Sequence, residues 1–135
     1  MLTCDVEVRV RYGETDRMGY VYYGFYTLYY EIGRTELLRK LGLTYKELED
    51  NGILLPVTEL IVKYNAPAVY DELITVRTII KEKPGLKITF YYEIYNSLKE
   101  LINEATTTLV FVDAKSRKPC RPPELFTKVI KDYFD

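Results

Sequence analysis

Polar and apolar residues alternate from Asp5 to Tyr12, with Val6, Val8 and Val10 on one side and Glu7, Arg9 and Arg11 on the other. That period predicts a half-buried β-strand. The alternation stops at Gly13-Glu14-Thr15-Asp16, and from Phe25 to Leu41 the spacing becomes helical. Tyr26, Tyr30, Gly33, Leu37 and Leu41 recur at three- and four-residue steps, while Leu28, Tyr29 and Ile32 widen the stripe. The first half of this helix is apolar nearly all round, and such a helix is expected inside a protein. Gly33 in mid-helix costs about 1 kcal/mol relative to alanine, so close approach to a sheet is the expected reason for it. Gly42 suits the helix stop, with Arg39 and Lys40 at the negative end of the dipole. Thr44-Tyr45-Lys46-Glu47 reads as a capping box that starts a second, short helix.

Beyond Leu54 the period of two returns. Leu60, Val62 and Tyr64 share a face, then Ile74, Val76, Thr78 and Ile80, then Ile88, Phe90, Tyr92 and Ile94. Leu101 to Val112 completes the set as one long strand. Lys83-Pro84-Gly85-Leu86 suits a type II turn, and Asn96 to Glu100 a hairpin connection. Pro122-Pro123 opens a terminal amphipathic helix carrying Leu125, Phe126, Val129, Ile130 and Phe134. An α+β fold follows: a single antiparallel sheet wrapped around one long helix, so that both apolar surfaces bury each other. A helix of about 18 residues would be roughly 27 Å long, matching the width of such a sheet.

With 135 residues the chain is expected to form one domain over residues 1–135. Hydrophobic residues at 47% and charged ones at 29% place it among folded proteins. A net charge of -1 argues against a nucleic-acid footprint. No apolar run is long enough to insert into a membrane, and MLTCDVEVRVR lacks a signal-peptide layout, so a cytoplasmic location is expected. Cys4 and Cys120 lack metal-ligand spacing and are expected to be free thiols. The absence of histidine excludes a Ser-His-Asp or Cys-His triad and disfavours zinc, so no metal is expected. Carboxylates, tyrosines and backbone groups remain for chemistry. The chain also lacks Gln and Trp and is rich in Lys and Glu, which fits a thermophilic source.

The segment RYGETDRMGYVYYGFYTLYYEIGRTELLR, followed by LPVTELIVKYNAPAVYDELITVRT and ITFYYEIYN, resembles the hotdog-fold acyl-CoA thioesterases of the 4-hydroxybenzoyl-CoA thioesterase and YbgC-like family. The resemblance runs from about Val6 to Leu125 and rests on Tyr12, Asp16, Gly19, Val21, Tyr23 and Tyr26 in family order. It implies a hotdog domain that dimerises through its sheets and often pairs again into a homotetramer, with active sites at the dimer interface. It also implies acyl-CoA as the substrate, coenzyme A being part of that substrate and not a bound cofactor, and a catalytic carboxylate at Asp16. One branch of the family has His where this chain has Tyr23, and many relatives carry glycine near Glu104-Ala105-Thr106.

From the residues themselves, thioester hydrolysis needs a nucleophile and a holder for the developing negative charge. The first amides of a helix lack intrahelical partners and sit at the positive end of the dipole. Those of Tyr23, Gly24 and Phe25 are therefore candidates for an oxyanion hole, and Gly24 would admit close approach of substrate. Asp16 could attack the thioester or deprotonate a water; equally, aspartate ahead of a helix is a common turn former or cap. Tyr12 and Tyr26 are pocket candidates, and Thr58 and Glu59 could reach a neighbouring subunit's site. Tyr29 and Tyr30 read as core, Glu14 and Thr15 as turn residues, and Glu31, Arg34, Glu36 and Arg39 as a solvated or salt-bridged face. A non-catalytic acyl-CoA-binding protein is the alternative that the missing histidine leaves open.

Overall fold

The computed structural model describes residues 1–134. Five strands, β1 (Leu2–Arg9), β3 (Val57–Tyr64), β4 (Leu73–Ile80), β5 (Lys87–Tyr95) and β6 (Leu101–Val110), form one antiparallel sheet in the order β1-β4-β5-β6-β3. A 3₁₀ turn at Tyr23–Phe25 leads into the long helix α1 (Tyr26–Lys40), which packs on β1, β4 and β5. The alternation read from the sequence is what buries one face: Ile74, Val76, Thr78 and Ile80 of β4, and Ile88, Phe90, Tyr92 and Ile94 of β5, are all buried beneath the helix. Tyr29, Tyr30, Leu37 and Leu38 of α1 meet them. At Gly33 the approach is close. A Cβ there would overlap Thr78 Oγ1 and sit 3.1 Å from Val76 Cγ1.

The short elements follow from local chemistry. Thr44 caps α2 (Tyr45–Asp50), its hydroxyl accepting the Glu47 amide at 3.0 Å. Gly42, at φ 85°, ends α1 in the left-handed conformation. Asn96 closes the β5–β6 hairpin by accepting the amides of Leu98 and Glu100. The helix α3 (Glu124–Ile130) buries Phe126 and Ile130.

Four expectations are corrected. β1 begins at Leu2, because Leu2 and Cys4 extend the inward-facing row against β4. The last long strand breaks at Phe111, which turns in to pack on Phe126 at 5.1 Å. A two-residue strand, β7 (Val112–Asp113), continues beyond it and pairs with β2 (Ile53–Leu54). Gly85 is not among the positive-φ glycines, so Pro84-Gly85 makes no type II turn; six residues separate β4 from β5 and no tight reversal is required. Finally, α1 is covered on one side only. Leu28 and Ile32 stay exposed, because the helix packs on β1, β4 and β5 and leaves the edge strand β3 largely bare.

Candidate active site

The chain between β1 and α1 folds back on itself around Asp16. Its amide donates to Tyr20 O at 2.7 Å, and Gly19, at φ 82°, returns a bond to Asp16 O at 3.0 Å. Asp16 Oδ1 accepts the amides of Met18 at 2.9 Å and Tyr20 at 3.3 Å. The turn thus engages one oxygen of the carboxylate and leaves the other, Oδ2, without a protein donor among the described residues.

That carboxylate lines a cavity of about 420 Å³ with Tyr20, Tyr23, Tyr26, Tyr64 and Asn65. Tyr64 Oη donates to Tyr23 O at 2.9 Å and fastens the end of β3 to the start of the helix. Tyr26 is buried, edge-on to Tyr64 at 5.6 Å, and accepts the Ala68 amide at 3.4 Å. Burial pushes its hydroxyl above the ordinary tyrosine range, so it stays neutral and shapes the wall. At the helix entrance the Phe25 amide donates to Tyr22 O at 2.8 Å and is unavailable. The amides of Tyr23 and Gly24 donate to no protein acceptor among the described residues.

A carboxylate and an amide-bearing helix entrance around one cavity is an arrangement suited to acyl transfer. Residues 10–130 match the thioesterase-like superfamily. The chain belongs to that family. YneP of Bacillus subtilis is 39% identical over 127 residues, spanning 94% of this chain and 89% of its own. The acyl-CoA thioester hydrolase YbgC of Escherichia coli is 35% identical over 117 residues, 87% of each chain. The crystal structure of a DHNA-CoA thioesterase from Staphylococcus aureus superposes with a TM-score of 0.87 at 33% identity, covering 98% of this chain and 87% of the other.

Within this thioesterase-like chain, Asp16, Tyr23 and Tyr26 line one cavity, whereas Gly24, beside the Tyr22 ring, and Phe25 are not among its lining residues. Phe25 packs on Tyr29 at 5.7 Å. Tyr12 does not join them: it is 79% exposed, edge-on to Tyr70 outside the cavity. Thr58 and Glu59 lie exposed on β3, the Thr58 hydroxyl donating to Thr108 O at 3.1 Å, and neither lines this protomer's cavity. Tyr64 and Asn65 were missed as site residues. Tyr64 was legible as an inward-facing strand residue, but its meeting with the helix entrance is set by the sheet order. No group of three or more potential metal ligands occurs among the described residues, and no helix is long and apolar enough to cross a membrane.

Glu14 also proves more than a turn residue. It is 3% exposed, and its carboxylate accepts from the Arg11 amide at 2.9 Å, the Arg11 Nε at 2.6 Å and the Tyr29 hydroxyl at 2.7 Å. This clamp ties the Asp16 loop to α1. Burial pushes the Glu14 carboxyl up, but the bonds from Arg11 and Tyr29 outweigh it and hold the group below the usual glutamate range. A depressed value means the stabilisation is complete above the ordinary glutamate value, about 4.3, and is lost as pH falls through the folded-state value. Glu14→Gln is therefore expected to lower Tm at neutral pH, by the equivalent of about 1–3 kcal/mol, and to flatten the acid limb of a Tm-versus-pH curve. An unchanged acid limb would count against the clamp.

Proposed function

We propose that this protein hydrolyses acyl-CoA thioesters to free acid and CoA, with Asp16 as nucleophile or general base. The observation that carries the reading is the cavity shared by the partnerless Asp16 oxygen and the entrance of α1. As general base, Asp16 takes a proton from water, the resulting hydroxide adds to the thioester carbon, and negative charge gathers on the carbonyl oxygen. The Tyr23 and Gly24 amides supply donors for that oxygen, each such donor being worth about 3–4 kcal/mol of barrier. Collapse breaks the C–S bond and expels the thiolate of CoA. A thiolate leaves readily, so no histidine is required as acid, and Tyr23 need not replace one. Purified protein given a panel of acyl- and aroyl-CoA esters is expected to release free thiol; bound ester without turnover would select a non-catalytic binding protein instead.

The working unit in this reading is a homodimer in the cytoplasm. β3 is an edge strand with a free backbone side, and Leu60 and Ile61 on it are 41% and 59% exposed. Leu60 lines a cavity with Leu28 of α1 on the helix side of the sheet, while Ile61, the next residue, points to the opposite face. Exposed apolar side chains on both faces of an unpaired edge are aggregation-prone unless covered. A second copy pairing edge to edge covers both and brings its Thr58 and Glu59 toward the first copy's cavity. Ile61→Glu is expected to shift sedimentation toward the monomer and to reduce turnover with it. A variant that sediments like the wild type would remove this interface.

A further inference from the structure

Arg34 breaks the pattern expected of its helix face. Glu36 and Arg39 pair with each other in solvent, but the Arg34 guanidinium turns inward. Its Nε donates to Tyr45 Oη at 3.0 Å and its Nη1 to Tyr92 Oη at 3.1 Å; Tyr92 Oη in turn bonds Thr107 Oγ1 at 2.6 Å. Both acceptors are neutral. No carboxylate among the described residues forms an ion pair with Arg34, and its Nη2 donates to no protein group. An arginine cannot shed its charge, and a largely buried cation without an anion is destabilising.

The guanidinium borders a second cavity of about 240 Å³, lined with it by Thr27, Tyr30, Glu31, Leu60 and Thr107. This cavity lies on the same helix face as the Asp16 cavity. Tyr23 and Tyr26 line the first, Thr27, Tyr30 and Arg34 the second, so the two follow one another along α1 in steps of three and four residues. Tyr23 and Arg34 are roughly 16 Å apart along the axis at 1.5 Å per residue. An arginine on a helix leans back toward the N-terminus, which brings the guanidinium to on the order of 10 Å from the free amides. The two cavities share no lining residue; a medium-length acyl group that starts at those amides and follows the α1 face from the first into the second would end there.

We infer that the acyl pocket terminates at Arg34 and selects acyl groups whose far end carries a carboxylate. This rests on the thioesterase reading above. A carboxylate at that end supplies the missing anion and takes the unused Nη2 in a charge-assisted bond. Glu31, at the mouth, is exposed and forms no ion pair with Arg34, so its opposing field is weakened by solvent. Leu60 lies on the strand that the second copy covers, so dimer formation closes the open side.

The test compares adipoyl-, suberoyl- and sebacoyl-CoA with hexanoyl-, octanoyl- and decanoyl-CoA. The wild type is expected to favour at least one dicarboxylic ester over its matched partner by about tenfold or more in kcat/KM, the ratio one charge-assisted bond supplies. Arg34→Met is expected to collapse that ratio, chiefly through KM, Arg34→Lys to restore part of it, and Glu31→Gln to raise it. Equal wild-type rates on matched esters, or equal losses on both in Arg34→Met, overturn the inference. So does a result in which Arg34→Met and Glu31→Gln each dissociate the dimer without altering the ratio, which marks an ion pair between copies. If Arg34→Met does not fold, free suberate must still inhibit the wild type more strongly than octanoate. Failure of the thioesterase reading looks different: no ester is hydrolysed at all, and calorimetry of suberate against octanoate then decides the Arg34 site alone.

Discussion

Asp16→Asn is expected to abolish thioester hydrolysis while leaving Tm within about a degree of the wild type. The substitution is informative because asparagine keeps an oxygen where Oδ1 accepts the Met18 and Tyr20 amides, so the turn survives. What disappears is the charge, and with it the carboxylate oxygen that the proposed reaction uses as base or nucleophile. General-base assistance alone is worth about 10²–10⁴ in rate, and loss of a covalent route is no smaller, so kcat should fall by about a thousandfold with little change in KM. Asp16→Ala loses turn and charge together and should also lower Tm, which separates the two jobs of the side chain. A single turnover in ¹⁸O-labelled water then divides the chemical routes. Direct attack by water puts the label in the product acid, whereas hydrolysis of an aspartyl anhydride at its protein carbonyl leaves the label in Asp16. Full turnover by the Asn variant would remove Asp16 from the mechanism.

Much of this was readable from the chain because periodicity reports burial directly. Val76, Thr78 and Ile80, or Phe90, Tyr92 and Ile94, repeat at two because alternate strand residues face the helix. Capping at Thr44 and the Asn96 hairpin were also legible, since each is decided within a few residues. What stayed hidden depends on partners far away in sequence. Glu14 looked like a turn residue because nothing local says that Tyr29, fifteen positions on, will bury it. Arg34 looked like one charge in a surface run because the hydroxyls that draw it inward come from Tyr45 and from Tyr92, 58 residues away. Tyr12 erred in the opposite direction: it carried a family position in the sequence, yet a strand ending at Arg9 sends it outward to Tyr70. Tyr23 and Tyr26 of the cavity wall were legible beside Asp16, whereas Tyr64 and Asn65, brought in by the sheet order, were not.

Gly33→Ala is the substitution expected to harm stability most for its size, and the sign of its effect separates two explanations of that glycine. On an exposed helix face the change would stabilise by about 1 kcal/mol, because alanine restricts the unfolded chain and favours helix. At Gly33 the new methyl would overlap Thr78 Oγ1 and press on Val76 Cγ1 at 3.1 Å, both anchored in β4 beneath the helix. Overpacking of this kind costs about 1–3 kcal/mol, and β4, buried in mid-sheet between β1 and β5, has little room to yield. A net loss of about 2 kcal/mol is therefore expected from chemical denaturation of the Gly33→Ala protein. Thr78 supplies the control. Its hydroxyl is buried without a hydrogen-bond partner, so Thr78→Ala removes the obstructing oxygen without stranding another group, and its Cβ at 3.5 Å would lie at ordinary contact distance. Combining the two substitutions should recover much of the loss, a coupling that a double-mutant cycle reads directly. Additive losses, or a Gly33→Ala protein more stable than the wild type, would mean that the helix does not sit this close to β4.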